Sequence, residues 1–441
     1  MWKRMILILI FIASPLSGQG LFESALREET SRSEPAPRFK FELNGYVRGG
    51  MFLGEYPGRS GLEAKYSAAE TALKLRVRKG DLGDAFAEFR LSEHFLDQNT
   101  QVEMDVREAY VNLYLGSVDL RIGEQIVVWG RADGFNPTNT ITPMNMLVFS
   151  PVNDDRRGSN FLLRSFWNLG ACRLEAIWVP VYRPSTLAFE RVDLPPGVTM
   201  GDSEYPSAGL SNSAVAIKLN VEKPSFDGSI SYFNGYALMT GIQADVTEAG
   251  GCLITPVAYR TKILGADFST TLGRYGLRGE FALSLPGGDD PVWGTVPNSQ
   301  FEGVVGLDRE FGDISLILQY IGKHVFDFDS LPGAAFRIGH GIQSEIRLWN
   351  RMMASQLEAW THSVSFKSSL SLLHQTLSCE VLGLVNFTTG EVFLKPQASL
   401  SPVDDLSVTV GFQWYSGPDD TLFGRIDKSL SAFFLEIKTS F

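Results

Sequence analysis

The chain has little cysteine. Its three cysteines, Cys172, Cys252 and Cys379, are an odd number with no C-x-x-C spacing. That excludes a disulfide-stapled scaffold and a cysteine-rich zinc site. At most one bridge could form, and none that matters is expected. Positive charge is also in deficit: 39 Lys and Arg against 50 Asp and Glu leave a formal charge of -11. Such a balance argues against a nucleic-acid partner, because phosphate binding rests on Lys and Arg. Long apolar runs are missing beyond the first residues, since charge, glycine or alternating polarity breaks every later stretch. A spanning helix needs about 20 apolar residues, and none is available.

Aromatics and glycine are plentiful instead: 30 Phe, 13 Tyr, 8 Trp and 43 Gly, at a mean hydropathy near zero. This combination suits a transmembrane barrel, where half of each strand faces water. Residues 1–20 read as a cleaved signal peptide. Lys3 and Arg4 are its positive region, Met5 to Ala13 its apolar core, and Ser14 to Gly20 its small-residue cleavage region. Loss of that leader takes the charge to about -13. Residues 21–37 read as a short periplasmic lead-in.

From Phe39 the polarity alternates. Phe39, Phe41, Leu43 and Val47 oppose Lys40, Glu42, Asn44, Tyr46 and Arg48; Leu73, Leu75 and Val77 oppose Lys74, Arg76 and Arg78. Ala87, Phe89 and Leu91 oppose Glu88, Arg90 and Ser92. Successive side chains on opposite faces are the mark of a strand. Turn signals at 80–84, 116–117, 169–171 and 223–225 join further runs. About 18 strands result, with 16 as the other count because 339–370 is hard to parse. Short turns alternate with longer segments (54–63, 130–159, 182–212, 238–254, 286–299, 326–353 and 416–429), as short periplasmic turns alternate with extracellular loops. The expected fold is therefore all-β: a closed antiparallel barrel over 38–441, both ends in the periplasm. Closure is required in lipid, which cannot satisfy an open sheet edge. The last run sets Phe433, Leu435, Ile437 and Phe441 against Glu436, Lys438 and Ser440. A strand closed by a terminal aromatic resembles the signal that outer-membrane barrels present to their assembly machinery, with Phe441 as that residue.

One loop is more than scaffold. Around 130–159 the chain is dense in Gly, Pro, Asn, Thr, Asp and Arg, which shape a loop rather than loosen it. About 30 residues without regular structure inside a barrel suggest a function. Arg121-Ile122-Gly123-Glu124-Gln125-Ile126-Val127-Val128-Trp129-Gly130-Arg131, Gly134-Phe135-Asn136-Pro137 and Asp154-Asp155-Arg156-Arg157-Gly158 resemble a family of porin-like outer-membrane barrels, related in style to alginate-export barrels. Trp178 to Pro184, Ser231 to Tyr236, Leu264 to Phe268 and Leu422-Phe423-Gly424 fit the same resemblance. It implies a narrow channel constricted by loops. Trp129, Arg131, Asp133, Asp154, Asp155, Arg156 and Arg157 are the expected constriction residues; equally, these Asp and Arg staple the loop by pairing with each other. Strict alternation puts Glu124 on the lipid face unless a bulge at Gly123 turns it inward.

The expected inner face carries Arg48, Lys74, Arg76, Arg78, Arg90 and Arg121. A basic ladder favours anionic or hydroxyl-rich solutes, unless Glu42, Glu88, Glu108 or Asp119 neutralises it. No catalytic group is expected. Of the five histidines, His362 has no serine two residues away, as one face of a strand requires; His94 and His324 look like rim or loop residues. No nucleophile-elbow motif appears, and no metal or cofactor is expected. The reading is a passive pore for small hydrophilic, anion-biased solutes in the cell outer membrane. Its partners are outer-membrane lipid, lipopolysaccharide and the assembly machinery. A polymer or small-molecule export channel with a periplasmic partner, and a non-conducting surface barrel, remain open at this point.

Overall fold

Alternation along the chain becomes strands, and the strands close on themselves. A computed structural model describes residues 39–56, 61–96, 99–186, 198–246, 251–290, 292–330 and 341–441. The expected leader and lead-in lie outside these residues. In order come β1 (Phe39–Gly54), β2 (Glu63–Lys79), β3 (Gly83–Leu96), β4 (Asn99–Leu115), β5 (Val118–Gln125), β6 (Asn160–Leu169) and β7 (Cys172–Val179). Next are β8 (Val198–Met200), β9 (Ala214–Lys223), β10 (Phe226–Tyr236), β11 (Gly241–Val246), β12 (Cys252–Val257), β13 (Arg260–Leu272) and β14 (Tyr275–Pro286). β15 (Gln300–Phe311), β16 (Ile314–Val325), β17 (Trp360–Leu372), β18 (Leu377–Asn386), β19 (Glu391–Val403), β20 (Leu406–Ser416) and β21 (Ala432–Ser440) complete them. All but β8, β11 and β12 form one 18-stranded antiparallel sheet, and β21 pairs with β1 to close the ring.

The wall is apolar outside and polar inside. Phe41, Leu43, Val102, Met104 and Ile230 are all more than half exposed, while Glu280, Gln319, Gln413 and Lys218 on the inner face are buried. This inversion suits a barrel bathed in lipid. Among the described residues no helix is long and apolar enough to cross a membrane. The closing seam explains one glycine. Gly45 N donates to Phe441 O (2.9 Å) and Phe441 N to Gly45 O (3.0 Å). A Cβ on Gly45 would lie 2.5 Å from Phe441 Cζ, so the ring covers a position that only glycine leaves open.

The long segments hold more structure than alternation suggests. β8, β11 and β12 form a separate three-stranded sheet. Helix α1 (Gly341–Met353) lays Ile346 against Ile242, Ala244 and Cys252 of that sheet. Helix α2 (Leu422–Leu430) starts with Thr421 accepting from Gly424 N. Lys65, 2 % exposed, donates to Lys428 O and to Ser431 O (2.8 Å) at its far end. A cation there meets carbonyls left without helical partners. The stretch that was hard to parse holds α1 and then the fourteenth barrel strand, which occupies Trp360–Leu372. The segment between β18 and β19 is a short turn at 387–390.

Candidate functional site

The connection from β5 to β6 does not stand outside the barrel; it folds across the lumen. Its first limb, 126–142, is anchored by packing. Val127, Trp129 and Ile141 join Leu162, Ile177, Val179, Ala216 and Phe233 from β6, β7, β9 and β10 in one buried cluster. Trp129 Nε1 donates to Glu175 Oε1 (3.3 Å), and Lys218 Nζ lies 5.6 Å from its ring. The chain then turns at Gly130 (φ +101°), where a Cβ would meet Glu280 Oε2 at 2.4 Å.

Glu280, on β14, is the limb's main polar anchor. Its Oε2 accepts from Arg131 N (3.0 Å) and Ala132 N (3.1 Å). Its Oε1 accepts from Thr138 N (2.9 Å) and Thr138 Oγ1 (2.8 Å). Four loop donors thus find partners on one fully buried carboxylate, and leaving such donors unmade costs about 1–3 kcal/mol each. Alongside, the Arg131 guanidinium pairs with Asp267, which also holds Lys218 (3.1 Å) and Ser229 (2.5 Å). Asp133 pairs with Arg278 (2.7 Å). Phe135 packs on Val304, Ile321 and Leu384 of β15, β16 and β18.

The second limb, 143–159, leans on the other wall. Its short 3-10 turn, Asn153–Arg156, places Asp155 between two lumenal arginines. Asp155 Oδ2 meets Arg48 (2.5 Å) and Ser150 Oγ (2.5 Å), and Oδ1 meets Arg90 (3.3 Å). Burial alone would raise the Asp155 carboxyl; the charge and hydrogen bond of Arg48, the Ser150 bond and Arg90 overcome it and hold the group at about 2. Arg107 donates to the main-chain oxygens of Asp154 (2.5 Å), Asp155 (3.3 Å) and Arg157. Lys395 donates to Pro151 O (2.6 Å) from β19. Four strands, β1, β3, β4 and β19, grip one turn.

The candidate residues therefore divide. Trp129, Arg131, Asp133 and Asp155 bind the wall rather than each other. Asp154 and Arg157 pair within the loop (2.8 Å), and Arg156 Nε donates to Val148 O (3.1 Å). Of the ladder, Arg48 also meets Glu70 (2.9 Å) and Glu436 (3.5 Å); Arg90 meets Glu88 (2.8 Å), as does Lys74 (3.4 Å). Two of those neutralising acids, Glu70 and Glu436, differ from the expected set. Arg121 donates to Asn112 Oδ1 (2.6 Å) and lies over the Tyr110 ring; Arg76 lies over Phe86, and Arg78 is exposed. Among the described residues, none of these last three has a carboxylate within ion-pair distance.

Two expectations need correcting. The bulge foreseen at Gly123 is absent: pairing runs unshifted with Tyr110 and Leu162 on either side. Gly123 instead takes φ +132°, and Arg183 grips the Glu124 carboxylate (2.8 and 2.9 Å). Of the rim-or-loop reading of His94 and His324, the loop half falls: both lie in strands, close to the strand ends. His94 has the same-face serine that His362 lacks: Ser92 Oγ is 2.8 Å from its Nε2, and Tyr66 OH 2.6 Å from its Nδ1. Sequence reasoning also missed Glu280, Asp267, Arg107 and Lys395. Alternation marks Glu280 and Asp267 as inward, but nothing local says what they hold.

The loop leaves cavities on both sides. One of about 310 Å³ lies between the second limb and β1–β4, with Arg48, Arg90, Arg107, Arg157 and Arg183 in its wall beside Glu70, Glu103, Asp105 and Asp155. Two others, about 340 and 230 Å³, lie against β13–β18 and share Glu302, Lys323 and Ser355.

No family model and no curated protein matches the chain. Solved structures do match over nearly its whole length. The outer-membrane protein OpdK of Pseudomonas aeruginosa is 9 % identical, with TM-score 0.52, covering 91 % of this chain and 98 % of its own. OccK5 (OpdH) of the same organism is 8 % identical with TM-score 0.53, covering 91 % and 97 %. OccAB3 of Acinetobacter baumannii is 10 % identical with TM-score 0.52, covering 91 % and 99 %. At such identities the likeness is one of fold: a closed, porin-like β-barrel.

Proposed function

We propose that this chain is a passive channel of the bacterial outer membrane for small hydrophilic solutes, with a bias towards anions, and that it is not an enzyme. The observation that carries the reading is the loop tied to both walls: it leaves Glu280 on one side and ends in the Arg48–Asp155–Arg90 cluster on the other. A barrel of 18 strands is too wide for wall side chains alone to fill. A loop fixed by ion pairs sets the bore without closing the barrel, and charges at the narrow point set selectivity. The similarity in fold to OpdK, itself an outer-membrane protein, supports the location. Residues 1–20 would direct export and be removed, and Phe441 would mark the chain for the assembly machinery. Outer-membrane lipid and lipopolysaccharide would surround the apolar belt.

Polymer export fits less well, because a chain-like substrate needs a continuous wide bore and a limb of loop crosses this one. Hydrolysis has one attraction, the Ser92–His94 contact, but Tyr66 rather than a carboxylate occupies the other imidazole nitrogen. The wall around it is a basic cavity. Reconstitution of the purified protein in a planar bilayer tests the reading. Discrete current steps in KCl are expected, reduced by small hydrophilic solutes. A barrel shown to be folded that passes no current would refute it.

A further inference from the structure

The two sides of the loop differ in chemistry. Beside β1–β4 the cavity wall is dense in arginine and carboxylate. Against β13–β16 it is hydroxyl, amide and aromatic. In that larger cavity stand Thr140 from the loop, Tyr259, Thr261, Ser284, Gln300 and Lys323. Among the described residues the hydroxyls of Thr140, Tyr259, Thr261 and Ser284 make no hydrogen bond to protein, and none is a sealed buried atom. They are therefore free to serve a solute. Lys323 faces Glu302 at 3.6 Å, beyond hydrogen-bond reach, so its ammonium donors and the carboxylate acceptors remain available as a charge-balanced pair. Phe233 and Tyr259 add apolar faces to the same wall.

From this we infer that the chain carries a second subsite, for an uncharged polyhydroxylated solute of sugar type, in the chamber bounded by β13–β16 and the loop's first limb. The assignment rests on the channel reading and adds a substrate class to it. Several convergent donors and acceptors set in a partly apolar concavity orient a ligand by its hydroxyls. An anion would gain little here, because Glu302 offsets Lys323. Volume agrees: about 340 Å³ adjoins about 230 Å³ across Glu302, Lys323 and Ser355, room for a small saccharide rather than one ring alone.

The test uses maltose and the full mature barrel. In a planar bilayer, maltose should interrupt the KCl current of the wild type in a concentration-dependent way. Thr261→Val with Ser284→Ala should weaken that block about tenfold, the effect of losing two hydrogen bonds. Thr261→Ser, which keeps the hydroxyl, should retain it. Each variant is first shown to be folded by its heat-modifiable migration. A wild type that conducts but ignores maltose overturns the inference, as does an undiminished block in the double variant. Absence of any current refutes the channel reading alone. Calorimetry of the detergent-purified protein with maltose then decides the subsite: binding heat supports it, and no heat overturns it.

Discussion

Asp155 is the residue that ties the second limb of the loop to Arg48 and Arg90. Its carboxyl sits at about 2, below the ordinary 3.8. A depressed carboxyl contributes stability that is complete above the unfolded value and is lost as pH falls through the folded one. The clamp should therefore hold from neutral pH down to about pH 4 and fail progressively towards pH 2. Single-channel recordings across that range should show noisier, larger steps at the acid end. Asp155→Asn should show the same behaviour already at neutral pH, with no further acid step. Little of this pairing was legible beforehand. Alternation put Arg48 and Arg90 on the inner face, but Asp155 lies 107 residues from Arg48, and nothing local joins them. His94 is the converse case, since its i−2 serine was readable from spacing alone.

Elements fared differently. Long strands announce themselves, because each buries one face in lipid and wets the other; about 18 runs follow from that rule, with 16 left open only where 339–370 does not parse. Helices α1 and α2 and the β8–β11–β12 sheet obey no such rule. They are short, and they are stabilised by tertiary packing, α1 on the small sheet and α2 on β19 and β20, which a period-two pattern cannot reveal. The constriction loop was visible by composition and its place at the lumen was expected, but the wall residues that hold it were not. Its second limb offers a direct test. Gly158 N donates to Pro143 O (2.7 Å) and Asn145 N to Arg156 O (2.6 Å), so the two sides already meet at their base. Excising 146–155 should leave the barrel closed and raise single-channel conductance about twofold or more, as an unfilled lumen of this strand number would. Unchanged conductance would mean that the limb does not narrow the pore.

At the scale of the whole molecule, net charge misleads. The chain is acidic overall, yet among the described residues Arg76, Arg78 and Arg121 stand without carboxylate partners, near the 80–82 and 116–117 turns. The upper rungs, Arg48 and Arg90, are matched by Asp155, Glu70, Glu88 and Glu436. Any preference for anions then belongs to the lower three. Replacing them together with glutamine should move the reversal potential in a KCl gradient towards cation selectivity, whereas an unmoved potential would place selectivity elsewhere. Matching charges along the bore are local, which is why a sum over the sequence cannot predict them.

The hydrogen-bonded join of Gly45 to Phe441 has a consequence for how the molecule comes into being. Because β1 is joined to β21, the cylinder cannot be completed until both have been made. Every precursor is an open ribbon with two unsatisfied margins, unfit for oil. Entry into the bilayer must therefore await β21, and whatever receives the ribbon has to shield both margins until they meet.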